Sequence, residues 1–271
     1  LKDKINEPIN DFYNTKATVV FNAVEQSGIR INRDEFKSHF YDERSEYVYT
    51  QYNFKTLTTR PANKFNGINY AALNKDNGCR KSFIPRNDKF IELDIAAYHP
   101  TLLGLLVGYD FGDEDIHKAF AKMYGVDYQK SKELTFKQLY GGVFEQFKNL
   151  EFFQRVQIYV DDLWQRFNEE GWIECPISKH VYRKDKLEDM KPQKLLNYVL
   201  QNLETAMNVR ILWDIFKSLR NRKTELVLYT YDSFLFDFKE GEKDLIDEIK
   251  QIIKKYKLQI KESYGNDYDF R

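Results

Sequence analysis

One stretch of sequence decides the fold: Lys89-Phe90-Ile91-Glu92-Leu93-Asp94-Ile95-Ala96-Ala97-Tyr98-His99-Pro100. It is a short apolar run that a single aspartate, Asp94, interrupts. The run predicts a buried β-strand, and Pro100 suits the first turn of a following helix. A carboxylate in a buried strand is unfavourable by several kcal/mol unless a cation meets it. The stretch therefore predicts a metal ion or a paired base beside Asp94.

A second run of the same kind is Leu226-Val227-Leu228-Tyr229-Thr230-Tyr231-Asp232-Ser233-Phe234-Leu235-Phe236. Asp232 lies there among β-branched and aromatic residues, which favour strands. Two isolated aspartates in two strand-like runs predict one shared hard cation. Alternatives remain, since hairpin turns favour aspartate and either carboxylate could pair with one of the 42 basic residues. Glu92, on the same strand face as Asp94, is either a third carboxylate ligand or a strand-edge residue.

Length and composition set broad limits on the protein. The 271 residues correspond to one large or two small domains with a substantial core. Lys+Arg and Asp+Glu both number 42, so net charge neither indicates nor excludes nucleic acid as a partner. The apolar stretches are too short to span a bilayer, and no signal peptide is evident. Two cysteines form neither a disulfide framework nor a zinc site, so we expect an intracellular, cytoplasmic protein without membrane partners.

The order of predicted elements indicates the fold class. Helices are predicted over 8–31, 100–107, 115–124, 130–140, 150–168, 192–217 and 245–256. Hairpins are predicted over 171–183 and 225–238, and a last strand over 257–263, whereas 34–57 has no clear pattern. Long helices mixed with strands, without a βαβ rhythm, predict an α+β fold with an antiparallel sheet.

A stripe on the predicted helix 130–140 points to a ligand. Lys132, Phe136 and Tyr140 recur every four residues and so share one helix face. A cation followed by two rings suits a nucleotide, with the lysine on phosphates and the aromatics against sugar and base. The alternative is a half-exposed helix whose aromatics pack inward while Lys132 extends along the surface.

Taken together and in their order along the chain, several segments resemble the family A (Pol I-like) nucleic-acid polymerases. The resemblance covers most of the chain, and the ordered set of motifs is more specific than any one of them. The matching segments are Thr58-Thr59-Arg60, Arg80–Pro85 leading to Asp94, Asp115-Ile116-His117, Lys132 with Phe136 and Tyr140, Gly171-Trp172-Ile173-Glu174, Asn197 with Gln201, Tyr231-Asp232-Ser233 and Gly265-Asn266-Asp267-Tyr268.

The resemblance implies a polymerase palm, an antiparallel sheet backed by helices, with helical fingers. It places an N-terminal helix and reduced thumb or connector at 1–59, palm at 60–107 and 151–271, and fingers at 108–150. It implies nucleotidyl transfer from dNTPs to the 3′-hydroxyl of a primer paired with template DNA. Asp94 and Asp232 would then bind two Mg²⁺ ions, with Mn²⁺ as a substitute.

The resemblance also assigns binding roles. Lys132 would hold the triphosphate, Phe136 would lie near the sugar and Tyr140 would pack against the templating base. His117 belongs to the nucleotide site as well. The residues expected to contact template and primer are Arg60, Asn197, Gln201 and Tyr231.

Two departures affect the nucleotide site. Tyr128 stands where the family has an arginine one turn before the lysine, so Lys130 is the candidate substitute. His99 stands where the family's DNA polymerases have a glutamate that blocks a ribose 2′-hydroxyl. The segment Asp94–Pro100 also resembles a strand of the family B polymerases. That family places a tyrosine, which acts as the sugar gate, five residues after the aspartate. We predict that His99 is the gate, with a hydrogen-bonded structural histidine as the alternative.

The largest departure concerns the thumb. Only residues 32–57 are available where the family has a long helical thumb, and no exonuclease domain fits before residue 8. The chain is therefore expected to be a minimal, phage-like or mobile-element polymerase that is weakly processive or needs a processivity or replisome protein. One alternative is a primer-independent or RNA-synthesising polymerase, since phage-type RNA polymerases carry His-Asp-Ser-Phe, close to Tyr231-Asp232-Ser233-Phe234. The other is an inactive polymerase-like subunit that binds nucleic acid.

Overall fold

The structure is a computed structural model that describes residues 12–54, 56–63, 67–112, 114–175 and 178–270. Its α-helices are α1 Thr18–Ser27, α2 Arg33–His39, α3 Tyr98–Val107, α4 Ile116–Tyr124, α5 Tyr128–Gly141, α6 Glu151–Glu169, α7 Pro192–Ser218 and α8 Lys243–Lys254. Its strands are β1 Ile29–Ile31, β2 Tyr47–Val48, β3 Tyr52–Asn53, β4 Ala62–Asn63, β5 Phe83–Ile84, β6 Lys89–Ala96, β7 Trp172–Glu174, β8 Val181–Arg183, β9 Glu225–Thr230, β10 Ser233–Phe238 and β11 Gln259–Gly265.

Local sequence signals account for several helix ends. The Asp115 side chain accepts a hydrogen bond from the Lys118 backbone N–H at 2.9 Å and so caps the start of α4. The Asp127 side chain caps α5 in the same way, through the Lys130 backbone N–H. Gly28, after α1, has φ +64°, and a Cβ there would lie 2.8 Å from the Tyr49 ring. The predicted helix over 8–31 begins partly outside the described residues; α1 ends at Ser27, and Ile29–Ile31 form strand β1 instead of continuing the helix, because Gly28 ends it.

The chain divides into two compact units. The described part of one unit is Ala97–Ala206, which contains α3 to α6, the β7–β8 hairpin and the first part of α7. The other unit combines Asn10–Ala96 with Met207–Arg271 and contains the remaining strands and helices. The predicted assignment of palm, fingers and thumb to sequence ranges stays a prediction.

The main sheet belongs to the second unit and has the strand order β11-β6-β10-β9. All three pairings are antiparallel, which confirms the predicted α+β class with an antiparallel sheet. In the register of β6, Asp94 is opposite Ser233 on β10 and opposite Lys261 on β11. Side chains directly opposite one another lie on the same face of a sheet. Asp94 therefore shares one face with Ser233 and Lys261.

A single apolar cluster joins this sheet to a smaller antiparallel sheet of order β2-β1-β5. The main sheet contributes Phe90, Leu228 and Leu235, all on the face that carries Asp94. The cluster also contains Ile29, Ile31, Phe36, Val48, Tyr70, Phe83, Val227 and Tyr268. Each such fully buried side chain contributes about 1.5–3 kcal/mol, so the cluster holds the N-terminal sheet against β6 and β10.

The other unit is built around α6. Its buried residues Phe152, Val156, Val160 and Leu163 recur at helical spacing. The Phe152 ring lies 5.3 Å from that of Phe120 on α4, which links the two helices. This packing supports α4 and α5, the helices that carry the predicted nucleotide-binding residues.

The longest helix, α7, has 27 residues and runs from one unit into the other at Ala206 and Met207. No helix within the described parts of the chain combines the length and apolar character needed to cross a membrane.

Candidate active site

Asp94 and Asp232 lie at the same end of the main sheet. The Ile95 N–H donates a hydrogen bond to the Asp232 carbonyl oxygen at 2.8 Å, and Asp94 is paired with Ser233. The ladder between β6 and β10 therefore places Asp94, on β6, beside Asp232, in the turn that precedes β10. Two residues that are far apart in sequence are brought together, as the shared-cation hypothesis requires.

The exposure of the two aspartates differs from the expectation of buried carboxylates. Asp94 is half-buried and Asp232 is exposed, whereas Leu93 and Ile95 on either side of Asp94 are buried. Side chains alternate along β6, so Asp94 lies on the face of Phe90 and Glu92 near the end of the strand, whereas Leu93 and Ile95 lie on the opposite face. Asp232 occupies the two-residue turn between β9 and β10, where Tyr231 has φ +58°. The predicted turn position is therefore correct, and it does not conflict with metal binding.

Glu92 is the third carboxylate of this end of the sheet. The Ser233 hydroxyl donates to a Glu92 carboxylate oxygen at 2.7 Å. Burial raises the pKa of Glu92, the Ser233 hydrogen bond lowers it, and the Asp94 carboxylate raises it. Because β6 lies between β11 and β10, Glu92 is not at an edge of the sheet, which contradicts that alternative.

These oxygens suit a hard cation such as Mg²⁺. The repulsion between Asp94 and Glu92, which contributes to the raised pKa of Glu92, is the kind that a bound cation relieves. Within the described ranges, however, no three or more His, Cys, Asp or Glu residues are grouped closely enough to hold a metal ion. The donor chemistry fits, and the two-ion site stays a proposal.

The turn that carries Asp232 is held by two further residues. The Arg60 guanidinium lies 4.0 Å from the centroid of the Tyr231 ring, a cation–π distance. The Asn208 side-chain amide donates to the Tyr231 carbonyl oxygen at 2.5 Å and to the Tyr229 hydroxyl at 2.8 Å. Arg60 and Tyr231, both predicted to contact template or primer, therefore lie together beside Asp232. Asn208 is not among the residues that the sequence predicts for the site.

The aromatic stripe of α5 faces solvent. Phe136 is 45% exposed and Tyr140 38%, and their rings stack with centroids 6.0 Å apart. The buried positions of this helix are Ser131, Thr135, Gln138 and Leu139. Both rings are partly exposed and can reach a ligand, while the Tyr140 hydroxyl contacts the buried His99, so the helix is half-exposed as that alternative also expects.

Lys132, Tyr128 and His117 form a group beside this stripe. The Lys132 ammonium lies 4.5 Å from the Tyr128 ring centroid, and the Tyr128 hydroxyl donates to Asp115 at 3.3 Å. The His117 ring is 5.9 Å from the Tyr128 ring and 6.4 Å from the Phe136 ring. Tyr128, at the place of the missing arginine, thus orients the lysine instead of adding a second positive charge.

His117 itself is buried, and its Nδ1 has no hydrogen-bond partner among the described residues. Burial lowers the pKa of His117, the Lys132 ammonium lowers it further, and the Asp115 carboxylate raises it. A neutral imidazole with an unsatisfied buried nitrogen can hydrogen-bond a ligand that reaches it.

Lys130, the candidate substitute for the arginine, pairs with Glu133 at 2.9 Å. Lys137 also pairs with Glu133, at 2.5 Å, and the hydrogen bonds and charges of the two lysines lower the pKa of Glu133 to about 2. Lys130 therefore already neutralises a carboxylate on the helix surface.

His99 is 7% exposed and engages both ring nitrogens. Nδ1 lies 2.6 Å from the Tyr140 hydroxyl, and Nε2 lies 2.7 Å from a carboxylate oxygen of Glu204. The hydrogen-bonded histidine predicted as the alternative is present, and a role in sugar choice stays a prediction. Glu204 is not predicted from the sequence, although a lone acid among Val199, Leu200, Leu203 and Met207 is a signal of the kind that singled out Asp94.

Asn197 and Gln201 lie one turn apart on α7, both half-buried. The Gln201 side-chain amide N–H donates to the side-chain oxygen Oδ1 of Asn197 at 3.0 Å. The structure thus places the second predicted pair for template and primer side by side on one helix face.

The mixed α+β fold with antiparallel sheets is similar to the fold of a DNA polymerase domain. The chain is similar to a solved structure of the POL domain of Pol1 from M. smegmatis in complex with DNA primer-template and dNTP, with a TM-score of 0.69 and 13% sequence identity. The match covers 88% of this chain and 50% of the other, so this chain spans half the length of the chain that it resembles. No family model matches the sequence, and no curated protein matches it.

Proposed function

We propose that this protein is a template-directed DNA polymerase that adds dNTPs to a primer 3′-hydroxyl. In this reaction the hydroxyl oxygen bonds to the α-phosphorus, the bond from that phosphorus to pyrophosphate breaks, and the hydroxyl proton is lost. The observation that carries the proposal is the pairing of β6 with β10, which puts Asp94 on β6 beside Asp232 in the turn before β10, at one end of the sheet. The similarity of fold to a polymerase domain solved with primer-template and dNTP supports it.

Asp94 and Asp232 would hold the Mg²⁺ ions, with Glu92 as a third carboxylate nearby. Bound divalent ions supply activation of the attacking oxygen and neutralisation of charge on the phosphates. The chain itself supplies a fixed turn for Asp232, because Asn208 and the cation–π contact of Arg60 hold Tyr231. It also supplies the Ser233 hydrogen bond that orients Glu92.

The nucleotide would bind along α5. Lys132, held over the Tyr128 ring, offers a positive charge to the triphosphate. Phe136 and Tyr140 present exposed, stacked rings to the sugar and base, and His117 offers an unsatisfied buried nitrogen. In this proposal His99, in contact with Tyr140, is the gate that separates deoxyribose from ribose.

We expect primer-template DNA to be bound weakly. Residues 32–57, where a thumb is expected, contain one seven-residue helix and two two-residue strands. A thumb supplies phosphate contacts, which dominate affinity for DNA. We therefore propose a minimal polymerase of low processivity, or one that acts with a processivity or replisome protein.

A second candidate is an RNA-synthesising or primer-independent polymerase. It is favoured by Tyr231-Asp232-Ser233-Phe234 and by the absence of a glutamate at His99. The third candidate is an inactive subunit that binds nucleic acid, which the tyrosine at position 128 favours and the retained Asp94, Asp232 and Lys132 disfavour.

Primer extension with dNTPs and with rNTPs, run side by side in Mg²⁺ and in Mn²⁺, separates the three. Our proposal requires extension with dNTPs from a primer and little with rNTPs. Products made from rNTPs alone, with or without a primer, would establish the second candidate. Primer-template binding without extension in either metal would establish the third.

A further inference from the structure

Three side chains from three helices form a hydrogen-bonded relay, Glu204–His99–Tyr140. Glu204 lies on α7, His99 in the first turn of α3 and Tyr140 in the last turn of α5. The contacts are 2.7 Å from Glu204 to His99 Nε2 and 2.6 Å from His99 Nδ1 to the Tyr140 hydroxyl. All three residues belong to the same compact unit.

The inner end of the relay is a buried carboxylate. Glu204 is 1% exposed, and a buried carboxylate is strongly unfavourable unless a cation or hydrogen-bond donors compensate it. His99 Nε2 supplies a donor at charge-assisted distance. Because the second ring nitrogen contacts Tyr140, rotation of the imidazole would break a hydrogen bond at each end.

The outer end of the relay is exposed and belongs to the proposed nucleotide site. Tyr140 is 38% exposed and stacks on Phe136, which lies one turn earlier on α5, with Lys132 one turn earlier still. Two hydrogen bonds thus link the buried Glu204 carboxylate, through the His99 imidazole, to the Tyr140 ring at the surface. A histidine needed only for packing would not require an ionisable partner on its inner side.

We propose that Glu204 is a positioning residue that sets the choice between deoxyribose and ribose by fixing His99 and, through it, Tyr140. The inference rests on the proposed function, because it names the residue that controls sugar selection at that site. Glu204 does not touch the nucleotide in this scheme, and its whole effect passes through His99.

The test is Glu204→Gln, which keeps the size of the side chain and removes its charge. We expect the ratio of kcat/KM for dNTP over rNTP to fall about tenfold, the factor that about 1.4 kcal/mol produces. The change should appear in KM, with kcat for dNTP within about threefold of the unmodified protein, since the reacting atoms are untouched. Tyr140→Phe removes only the hydroxyl that contacts His99 and should reproduce this loss in a variant that folds normally.

Equilibrium binding of dATP and ATP gives the same selectivity without turnover. This measurement separates the proposed polymerase activity from the proposed role of Glu204. A protein that binds dATP selectively but never extends a primer would refute the polymerase activity, and the effect of Glu204→Gln on binding would still test the relay. Equal binding of dATP and ATP by the unmodified protein would overturn the relay. So would an unchanged ratio in both Glu204→Gln and Tyr140→Phe.

A double mutant establishes the route. If Glu204 acts only through His99, His99→Ala combined with Glu204→Gln should have the same selectivity as His99→Ala alone. Independent, multiplicative effects would contradict the relay. The matched control is Asp237→Asn, another carboxylate that is 1% exposed, which should lower thermal stability without changing the sugar ratio. An equal loss of selectivity in this control would show that the effect is general destabilisation.

Discussion

At the scale of single residues, three acidic side chains withdrawn from solvent are satisfied in different ways. Asp237 accepts hydrogen bonds from the backbone N–H groups of Arg86 and Asn87, at 2.8 and 2.9 Å, and lies 3.5 Å from the Arg86 guanidinium. Glu204 is met by His99, and Glu92 by Ser233. Asp237 therefore has a structural network that anchors the start of β6. Glu204 contacts His99 of the proposed nucleotide site, and Glu92 contacts Ser233 beside Asp94, so we expect a substitution at either carboxylate to have functional consequences.

Removal of the His99 ring tests the proposed gate. His99→Ala opens space beside Tyr140 and leaves Glu204 without its partner. We expect discrimination against rNTPs to fall by about tenfold or more, as one lost polar contact of about 1.4 kcal/mol predicts. The measurement is single-nucleotide incorporation of dNTP and rNTP on one primer-template. Unchanged discrimination would leave His99 with a structural role alone.

The lowered pKa of His117 offers a test of the geometry near Lys132. Lys132→Met should raise the pKa of His117, because it removes a nearby positive charge and leaves burial unchanged. Lys137→Met, on the same helix but paired with Glu133, should leave that pKa where it is. NMR titration of the His117 ring reports both, and a Lys132→Met variant without a change would contradict the contact.

The same shift has a consequence for stability. The pKa of His117 in the folded protein lies below the ordinary value of about 6.5. As pH falls, His117 is therefore protonated in the unfolded chain before it is protonated in the folded protein. The contribution of His117 to stability is therefore complete above the ordinary pKa value and declines as pH falls through the window between the two pKa values.

Sequence alone identifies Asp94 and Asp232 because each interrupts an apolar run, but it misjudges their burial. It overlooks Glu204, which is more deeply buried than either. The difference arises from the periodicity of the two kinds of element. An acidic residue that interrupts a short apolar strand is conspicuous, whereas a long helix is expected to carry acidic residues on its exposed face. Which face of α7 is buried depends on helices that are distant in sequence.

At the scale of elements, α5 has two faces with different tasks. The buried face holds Thr135 and Leu139, and the exposed face holds Phe136 and Tyr140. A substitution on the buried face should affect stability, and a substitution on the exposed face should affect nucleotide binding.

Paired substitutions on α5 test this division. Leu139→Ala should lower the free energy of unfolding by about 2–5 kcal/mol, because it leaves a cavity in a packed interior. Phe136→Ala should lower the free energy of unfolding by less than Leu139→Ala does, since Phe136 is 45% exposed, and should raise KM for dNTPs severalfold. Chemical denaturation and nucleotide titration measure the two effects. The reverse pattern would show that the exposed stripe is structural.

The elements that sequence predicts well are those with local signals. The caps at Asp115 and Gly125 bound α4 as expected, and the 225–238 hairpin has its turn at Asp232. Residues 34–57 give no pattern because their two-residue strands exist only through long-range pairing, β2 with β1 and β3 with β4. The order β11-β6-β10-β9 likewise depends on contacts between distant segments, which no local periodicity predicts.

At the scale of the whole molecule, the proposed polymerase has two compact units and little chain in place of a thumb. Weak phosphate contacts predict frequent dissociation and steep salt sensitivity. With a heparin trap present after initiation, we expect the protein to add only a few nucleotides per binding event, and fewer as salt rises. Long products under these conditions would contradict the reduced-thumb proposal.

The central claim is that Asp94 and Asp232 together form the catalytic centre of a polymerase. Its most direct test is primer extension by Asp94→Asn and Asp232→Asn, with Asp88→Asn as the control. Asp88 precedes the opposite end of β6 and pairs with Lys239, so its loss should spare activity. We expect both site variants to fold, to bind primer-template and to make no product above background in Mg²⁺, while the Asp88→Asn control extends the primer normally. Extension by either site variant at the rate of the unmodified protein would contradict it.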